Sequence, residues 1–323
     1  CLVGSEMCIR DSSNTSRTFS LGNVTFSPAF LRSDPTTVVS WLTRNELIIR
    51  RFSHLRADFW LRNMLKFNRN SSANRGDSAM IEEHIDIQTK DGAMNTFITR
   101  PDQGGPFPVI IFLMDAPGKR EELHDMARRI ATVGYYVMLP NLYYRQVREF
   151  VVGPDTREIM FGYMNALSND MVCEDVGVLM AHAAQQEDAG EGPVGTLGYC
   201  MSGPFAFSAA AAYPERIKAA ASLYGVRLCV DRPSSPHLRA GEVQGELYFA
   251  CAETDDWAPP EMIQELGEHL EKANVRHTIE WYPGTHHGFA FPGRGEIYNK
   301  AAAERHWSRL FALFARNLFP ATS

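Results

Sequence analysis

From Met80 onward the sequence alternates apolar strand-like segments with helical stretches, and this alternation constrains the fold more than any other feature. The continuous apolar segment 108–115 (PVIIFLMD) fits a strand that is covered on both faces. The helical pattern 119–134 that follows it ends at Gly134. Further strands are predicted at 135–143, 194–199, 217–225, 246–255 and 277–284, with helical patterns between most of them. The alternation predicts an α/β fold with a mostly parallel central sheet and helices on both faces.

Two other segments complete this domain. Residues 82–101 alternate apolar and polar side chains around Asp91-Gly92, which predicts an opening antiparallel hairpin. Residues 145–169 are the longest stretch without a clear pattern, and we expect an irregular loop there that shapes a pocket. The whole of 80–323 fits one domain.

The first 79 residues have a different composition. Residues 1–12 (CLVGSEMCIRDS) match the translation of a sequencing adapter, and 13–79 are rich in arginine and poor in acids. A transit peptide has such a composition, and so does translated upstream DNA. We expect 1–79 to be a non-native or disordered leader, and the natural protein to begin at Met80.

Composition excludes several classes of function. The chain carries 32 basic and 38 acidic residues, a net charge of −6, without a basic stripe, which argues against a nucleic-acid partner. No apolar run approaches the roughly 18 residues of a membrane span, so no membrane partner is expected. The 6 cysteines lack the paired spacing of a disulfide framework or a zinc site. We therefore predict a cytoplasmic protein without a metal.

One cysteine occupies an unusual position. Cys200 lies between a predicted strand and an alanine-rich helix in Gly198-Tyr-Cys-Met-Ser-Gly203. Small residues around a strand-to-helix corner are typical of a nucleophile elbow, which exposes its central side chain. The helix N-terminus behind the thiol stabilises negative charge, and the Met201 N–H is available to a developing oxyanion. The alternative is a small buried hydrophobic residue, the commonest fate of a free cysteine.

An acid and a histidine follow later in the chain, each after its own predicted strand. Asp255 ends the segment 246–255, and His286-His287 follow the segment 277–284 in a glycine-bounded loop. Nucleophile, acid and histidine in this order are typical of an α/β-hydrolase triad. A helix N-cap at Asp255 and a solvated turn at the two histidines are the structural alternatives.

From about Glu82 to Leu318 the chain resembles the dienelactone hydrolase family, α/β-hydrolases whose cysteine nucleophile opens cyclic enol-lactones. The resemblance is carried by PFPVIIFLMDAPG, GYYVMLPNLYYR, GTLGYCMSG, ETDDWAPP and GTHHGFAFPGR, in the family's order. It implies that Cys200 is the nucleophile, Asp255 the acid and His287 the base. No cofactor is implied, the partner is a small lactone or ester, and the assembly is a monomer or homodimer.

The resemblance assigns further roles after the strand 108–115. Asp115 matches a glutamate that accepts the thiol proton, although it is one methylene shorter. The neighbouring Ala116 N–H completes the oxyanion hole with Met201. Cys200 keeps the role of nucleophile in this scheme.

The sequence departs from the family where the substrate is bound. Phe291 stands where the namesake enzyme has an arginine that pairs with the substrate carboxylate, so Phe291 is predicted to contact substrate. An anionic lactone then needs Arg145, Arg148, Arg157 or Arg294 as its partner, although each is also a plausible solvated surface charge. Two alternatives stay open: a promiscuous carboxylesterase of neutral esters, and a non-catalytic hydrolase-fold protein that binds a small ligand.

Overall fold

The computed structural model describes residues 19–21, 24–26 and 80–319. The chain divides into two units, Cys1–Gly76 and Asp77–Ser323. In the first unit, strands β1 (Phe19–Leu21) and β2 (Val24–Phe26) pair antiparallel. The leader prediction for 1–79 otherwise falls outside the described residues. Within the described ranges, no helix has the length and apolar character needed to cross a membrane.

An eight-stranded sheet forms the centre of the second unit, in the order β10-β9-β8-β7-β5-β6-β4-β3. All pairs from β10 to β6 are parallel, and the hairpin β3-β4 adds to β6 antiparallel. The mostly parallel sheet and the hairpin are as predicted. The strands are β3 (Met80–Thr89), β4 (Gly92–Pro101), β5 (Val109–Leu113), β6 (Tyr136–Pro140), β7 (Val194–Tyr199), β8 (Ile217–Leu223), β9 (Glu246–Thr254) and β10 (His277–His286).

Helices cover both faces of this sheet. They are α1 (Glu121–Ala131), α2 (Arg157–Asn165), α3 (Asn169–Ala183), α4 (Gly203–Ala212), α5 (Pro260–Lys272) and α6 (Lys300–Leu318). The connection β5-α1-β6 runs along the sheet in the opposite direction to β7-α4-β8. Because such crossovers are right-handed as a rule, α1 and α4 are expected on opposite faces. Arg129 of α1 pairs with Glu304 of α6 at 2.6 Å, which joins α6 to the face of α1.

Burial follows from the sequence pattern. Every residue of β5, β6 and β7 is buried, as expected for central strands with helices on both sides. Helix α1 buries Leu123, Met126 and Ile130 on one face and exposes charged residues on the other. Gly134 follows it with a φ of +96°, a conformation that glycine adopts without strain.

The prediction of an irregular loop at 145–169 was wrong in part, because this segment contains α2 (Arg157–Asn165) after a short 3₁₀ turn. Only Met160 of α2 is buried, so the helix has almost no apolar stripe for the sequence to show. The segment before it remains irregular.

The strand order reverses beside β5. From β5 the chain moves to β6 on one side, and β7 then pairs with β5 on the other side. Ligands of open α/β sheets bind in the crevice at the carboxyl ends of the strands at such a switch point. Asp115 lies two residues after β5 and Cys200 directly follows β7, so the fold brings two of the predicted site residues to this crevice.

Candidate active site

Cys200 occupies the sharp turn between β7 and α4. It begins the 3₁₀ turn Cys200–Ser202 and has a φ of +54°, a left-handed conformation that costs energy for a residue with a Cβ. Its side chain is partly exposed, whereas Cys173, Cys229 and Cys251 are buried. The strained backbone and the accessible thiol are the two features of a nucleophile elbow.

Small residues make this turn possible. A Cβ at Gly198 would overlap the Ser202 carbonyl oxygen, and one at Gly203 would lie 2.5 Å from the Gly225 Cα. Ser202, where a second glycine is more usual, is fully buried, and its hydroxyl donates a hydrogen bond to the Met114 carbonyl. The serine therefore ties the elbow to the chain that leaves β5.

Gly198→Ala tests how tightly the elbow is packed. We expect it to lower the free energy of unfolding by about 1–3 kcal/mol, the usual cost of overpacking a buried site. We also expect kcat to fall at least about tenfold, because the displaced turn carries Cys200. Gly192→Ala is the matched control, since a Cβ there meets nothing within 4 Å. Thermal unfolding and steady-state hydrolysis measure both effects; unchanged values for Gly198→Ala would contradict this description of the elbow.

The predicted acid and base meet at the ends of β9 and β10. His287 Nδ1 lies 2.9 Å and 2.8 Å from the two carboxylate oxygens of Asp255. Backbone N–H groups of Trp257 and Ala258 donate to the same carboxylate at 2.9 and 3.1 Å. Asp255 is only 7% exposed, so its charge is held by these three donors rather than by water. This arrangement fixes the His287 tautomer and directs Nε2 away from the acid.

The charges around His287 favour its protonated form. Burial alone would lower the pKa of His287, but hydrogen bonds and charge interactions with Asp255 and Cys200 outweigh burial and raise that pKa to about 9. The same interactions join all three members of the predicted triad. The Tyr224 ring packs edge-on against His287 at 5.1 Å between centroids and limits its rotation.

The two predicted oxyanion donors lie on neighbouring segments. Met201 is the second residue of the 3₁₀ turn, and the first N–H groups of a helix have no partner within it. The Tyr143 hydroxyl donates to the Ala116 carbonyl at 2.8 Å and lies 3.4 Å from the Met201 sulfur. Tyr143 therefore spans the two segments that are predicted to bind the oxyanion.

Asp115 is fully buried and paired with arginine. Arg120 Nη1 and Nη2 lie 2.5 and 3.3 Å from its two oxygens, and Arg294 Nη2 lies 3.7 Å from Oδ2. Burial raises the pKa of Asp115, and the two guanidinium groups oppose that rise. A carboxylate held in this way has to leave Arg120 before it accepts a thiol proton, so the predicted thiol-activating role of Asp115 requires this ion pair to open.

Two of the arginines predicted to bind substrate are held in ion pairs with other side chains. Arg145 is bound to Asp175 and Asp91, each at 2.8 Å, and Arg148 to Asp86 at 2.7 Å. These ion pairs occupy both guanidinium groups and leave Arg145 and Arg148 few free donors for a substrate carboxylate.

The remaining candidates lie nearer the triad. Phe291 is fully buried, and its ring lies 5.2 Å from the Arg120 guanidinium carbon, so it supports the site without an exposed surface for substrate. Arg157 lies over the Phe161 ring, which stacks on Trp257 beside Asp255. Arg294 lies against Gly288, where an added Cβ would be 3.6 Å from Arg294 Nε.

Sequence reasoning missed Arg120, Tyr143 and Tyr224. Tyr143 and Tyr224 end predicted strand segments, and Arg120 follows Asp115 by five residues, so each lies near the carboxyl edge of the sheet. Their position near the carboxyl edge of the sheet was the signal that the sequence offered. Arginine and tyrosine are common at that edge, so position alone does not single out these three residues.

Sheet order, elbow and the acid–histidine pair define an α/β-hydrolase. The model of the dienelactone hydrolase family matches residues 94–318. The chain therefore belongs to the dienelactone hydrolase family, and it is a hydrolase that acts on lactone or ester bonds.

Individual relatives agree with this assignment. A provisionally named carboxymethylenebutenolidase of Synechocystis sp. is 28% identical over 227 residues, which cover 69% of this chain and 91% of the relative. The carboxymethylenebutenolidase of Rhodococcus opacus is 25% identical over 258 residues, 76% of this chain and 96% of its own. A provisionally named dienelactone hydrolase structure from Klebsiella pneumoniae has a TM-score of 0.66 at 25% identity, covering 74% of this chain and 99% of its own.

Proposed function

We propose that this chain hydrolyses a small lactone or ester through a Cys200-His287-Asp255 triad and a thioester acyl-enzyme. The observation that carries the proposal is the position of His287, which is hydrogen-bonded to Asp255 and whose pKa is raised to about 9, despite burial, by interactions with Asp255 and Cys200. The triad side chains supply nucleophile, base and acid, so the reaction as written uses no cofactor.

Acylation begins with transfer of the Cys200 thiol proton to His287 Nε2. The thiolate sulfur attacks the carbonyl carbon, and the oxyanion accepts hydrogen bonds from the Met201 and Ala116 N–H groups. When the carbon–oxygen bond breaks, the leaving oxygen takes the proton from His287. In a lactone this oxygen stays attached to the acyl chain.

Deacylation reverses the proton path. Once Cys200 is acylated, its charge no longer raises the pKa of His287, so the imidazole becomes a better acceptor at neutral pH. His287 takes a proton from water as the hydroxide adds to the thioester. Collapse of the second tetrahedral intermediate releases the acid, and the thiolate regains its proton.

For an anionic lactone, we propose Arg294 as the carboxylate partner. Its guanidinium lies beside Gly288, which directly follows His287, and its contact with Asp115 is the long 3.7 Å one. Arg120, in contrast, is engaged by both Asp115 and Glu122. Arg294 therefore has more N–H donors free for a substrate carboxylate. Arg157, which lies near Trp257, is the second candidate.

Arg294→Gln separates the two substrate classes. Because the variant loses the charge-assisted hydrogen bond to the substrate carboxylate, we expect kcat/KM for a dienelactone to fall by about 10–100-fold. A neutral aryl acetate should change by less than about threefold, because it has no carboxylate to pair. Steady-state rates of both substrates give the comparison, and Arg148→Gln, which breaks the pair with Asp86, is the matched control. Equal losses on both substrates would exclude Arg294 as the anion partner.

A neutral-ester carboxylesterase is the second candidate function. It is supported by Phe291, which buries an aromatic ring where the namesake family enzyme has its arginine. Hydrolysis of a dienelactone beside a neutral aryl acetate, each with and without Cys200→Ala, tests the proposal. Preference for the dienelactone supports the lactonase, exclusive turnover of the ester supports the carboxylesterase, and no turnover of either supports a non-catalytic ligand-binding protein.

Two further proposals concern the setting of the reaction. We propose a cytoplasmic location, which is supported by the free cysteines at 173, 200, 229 and 251 in the part of the chain that the structure describes. We also propose a small molecule as the only partner needed for turnover, with a monomer or homodimer as the assembly.

A further inference from the structure

A second group of chemically active side chains lies outside the triad. Cys229, His237 and His269 each present a donor atom, and these atoms all lie within 4.8 Å of one another. The His237 and His269 rings are 4.5 Å apart between centroids. Cys229 and His237 are buried, and His269 is partly exposed, so the group opens toward solvent on one side.

The three residues come from separate parts of the chain. Cys229 lies in the segment that follows β8, and His237 in the 3₁₀ helix Pro236–Glu242. His269 lies in the last turn of α5. Only the tertiary fold joins them, which explains why cysteine spacing gave no indication of such a group.

A further hydrogen bond already orients one imidazole. His237 Nδ1 lies 2.7 Å from Ser235 Oγ, and Ser235 Oγ accepts the Val230 N–H at 3.0 Å. Metal-binding histidines commonly use one ring nitrogen for such a contact and the other for the metal. This contact assigns Nε2 of His237 to a ligand.

Glu265 supplies a fourth donor. It precedes His269 by one helical turn on α5, and its Oε1 lies 3.9 Å from His269 Nε2. Glu265 also lies close enough to Cys229 to interact with its thiol. One carboxylate therefore faces two members of the group.

We propose that Cys229, His237, His269 and Glu265 form a site for a divalent transition metal, with Zn²⁺ as the best fit. Sulfur, imidazole and carboxylate donors together suit Zn²⁺, which binds them in a tetrahedron. Bonds of about 2.0–2.3 Å put neighbouring ligand atoms roughly 3.5 Å apart, so the side chains close in by about 1 Å on binding. The Cys229 thiol releases its proton to solvent as the sulfur–metal bond forms.

Such a metal would stabilise the segments that position Cys200 and Asp255. The segment after β8 contains Val226, whose N–H donates to the Cys200 carbonyl at 3.1 Å. Helix α5 begins directly after the Asp255 loop. The metal would therefore link the segment after β8, which contacts Cys200, to helix α5, which follows Asp255. Its expected role is structural.

Cobalt substitution tests the site directly. The full chain carrying Cys200→Ala is dialysed against a chelator and titrated with Co²⁺, so that the active-site thiol cannot contribute. We expect one equivalent to bind with a sulfur-to-cobalt charge-transfer band in the near ultraviolet. Zn²⁺ at about 100 times its Kd should raise Tm by about 5–10 °C.

Variants identify the ligands. Cys229→Ala should abolish the charge-transfer band, whereas Cys173→Ala, which changes another buried cysteine, should retain it. His269→Ala, at a partly exposed helix position, keeps the fold and should weaken Co²⁺ binding at least about tenfold. Absence of binding, or a band that survives Cys229→Ala, would overturn the proposal. These readouts do not depend on hydrolysis, so their result is separate from that for the triad.

Discussion

Cys200→Ala is expected to abolish hydrolysis of lactone and ester alike, with kcat lower by at least about 10⁴-fold, because it removes the proposed nucleophile of the acyl-enzyme. The protein should stay folded. Alanine has a Cβ, as cysteine does, so the left-handed backbone at a φ of +54° carries the same strain in both. Circular dichroism and thermal unfolding check the fold, and steady-state assays check the rate.

The control for this variant is Cys173→Ala, which removes a buried thiol from α3. It should leave kcat within about threefold of the unmodified chain, because α3 supplies no triad residue. Turnover retained by Cys200→Ala would remove the cysteine from the mechanism and leave the fold assignment intact.

Asp255→Asn is the second large effect, with kcat expected to fall by about 10²–10⁴-fold. Asparagine preserves the size of the side chain but removes the negative charge and permits the wrong histidine tautomer. Because Asp255 raises the pKa of His287, its loss should lower that pKa from about 9. Leaving-group protonation requires the imidazolium, so the fall of kcat/KM at high pH should move to lower pH in the variant.

Two independent readouts check this prediction. NMR titration of labelled histidines reports the pKa of His287, and the pH profile of kcat/KM reports the active protonation state. Asp256→Asn is the matched control, since the neighbouring Asp256 is the acid that the predicted triad does not use. An unchanged His287 pKa in Asp255→Asn would show that the carboxylate does not govern the base.

Much of the fold followed from the sequence because buried parallel strands have a distinctive composition. β7 (Val194–Tyr199) has the predicted bounds, and the hairpin is present with its two-residue turn at Lys90-Asp91, one residue before the Asp91-Gly92 signal. Helix α2 was missed because a helix that buries only Met160 has no periodic apolar face. Short surface helices depend on tertiary contacts that a local pattern does not contain.

Part of the candidate site was also predictable from the sequence, and part was not. The pairing of Asp255 with His287 and the sharp turn at Cys200 could be predicted because each residue follows a strand at the carboxyl edge of the sheet. The partners of Asp115 and Arg145 were not, because ion pairing depends on which side chains meet in space. The group around Cys229 has the same origin, since its members come from three separate segments.

Trapping the acyl-enzyme tests the central claim most directly. The full chain is mixed with a neutral aryl acetate, quenched in acid during turnover and digested for peptide mass spectrometry. We expect one acyl group on the peptide that contains Cys200, absent from Cys200→Ala and lost when the substrate is exhausted. Acylation of a different residue during turnover, or continued turnover with Cys200 unmodified throughout, would contradict it.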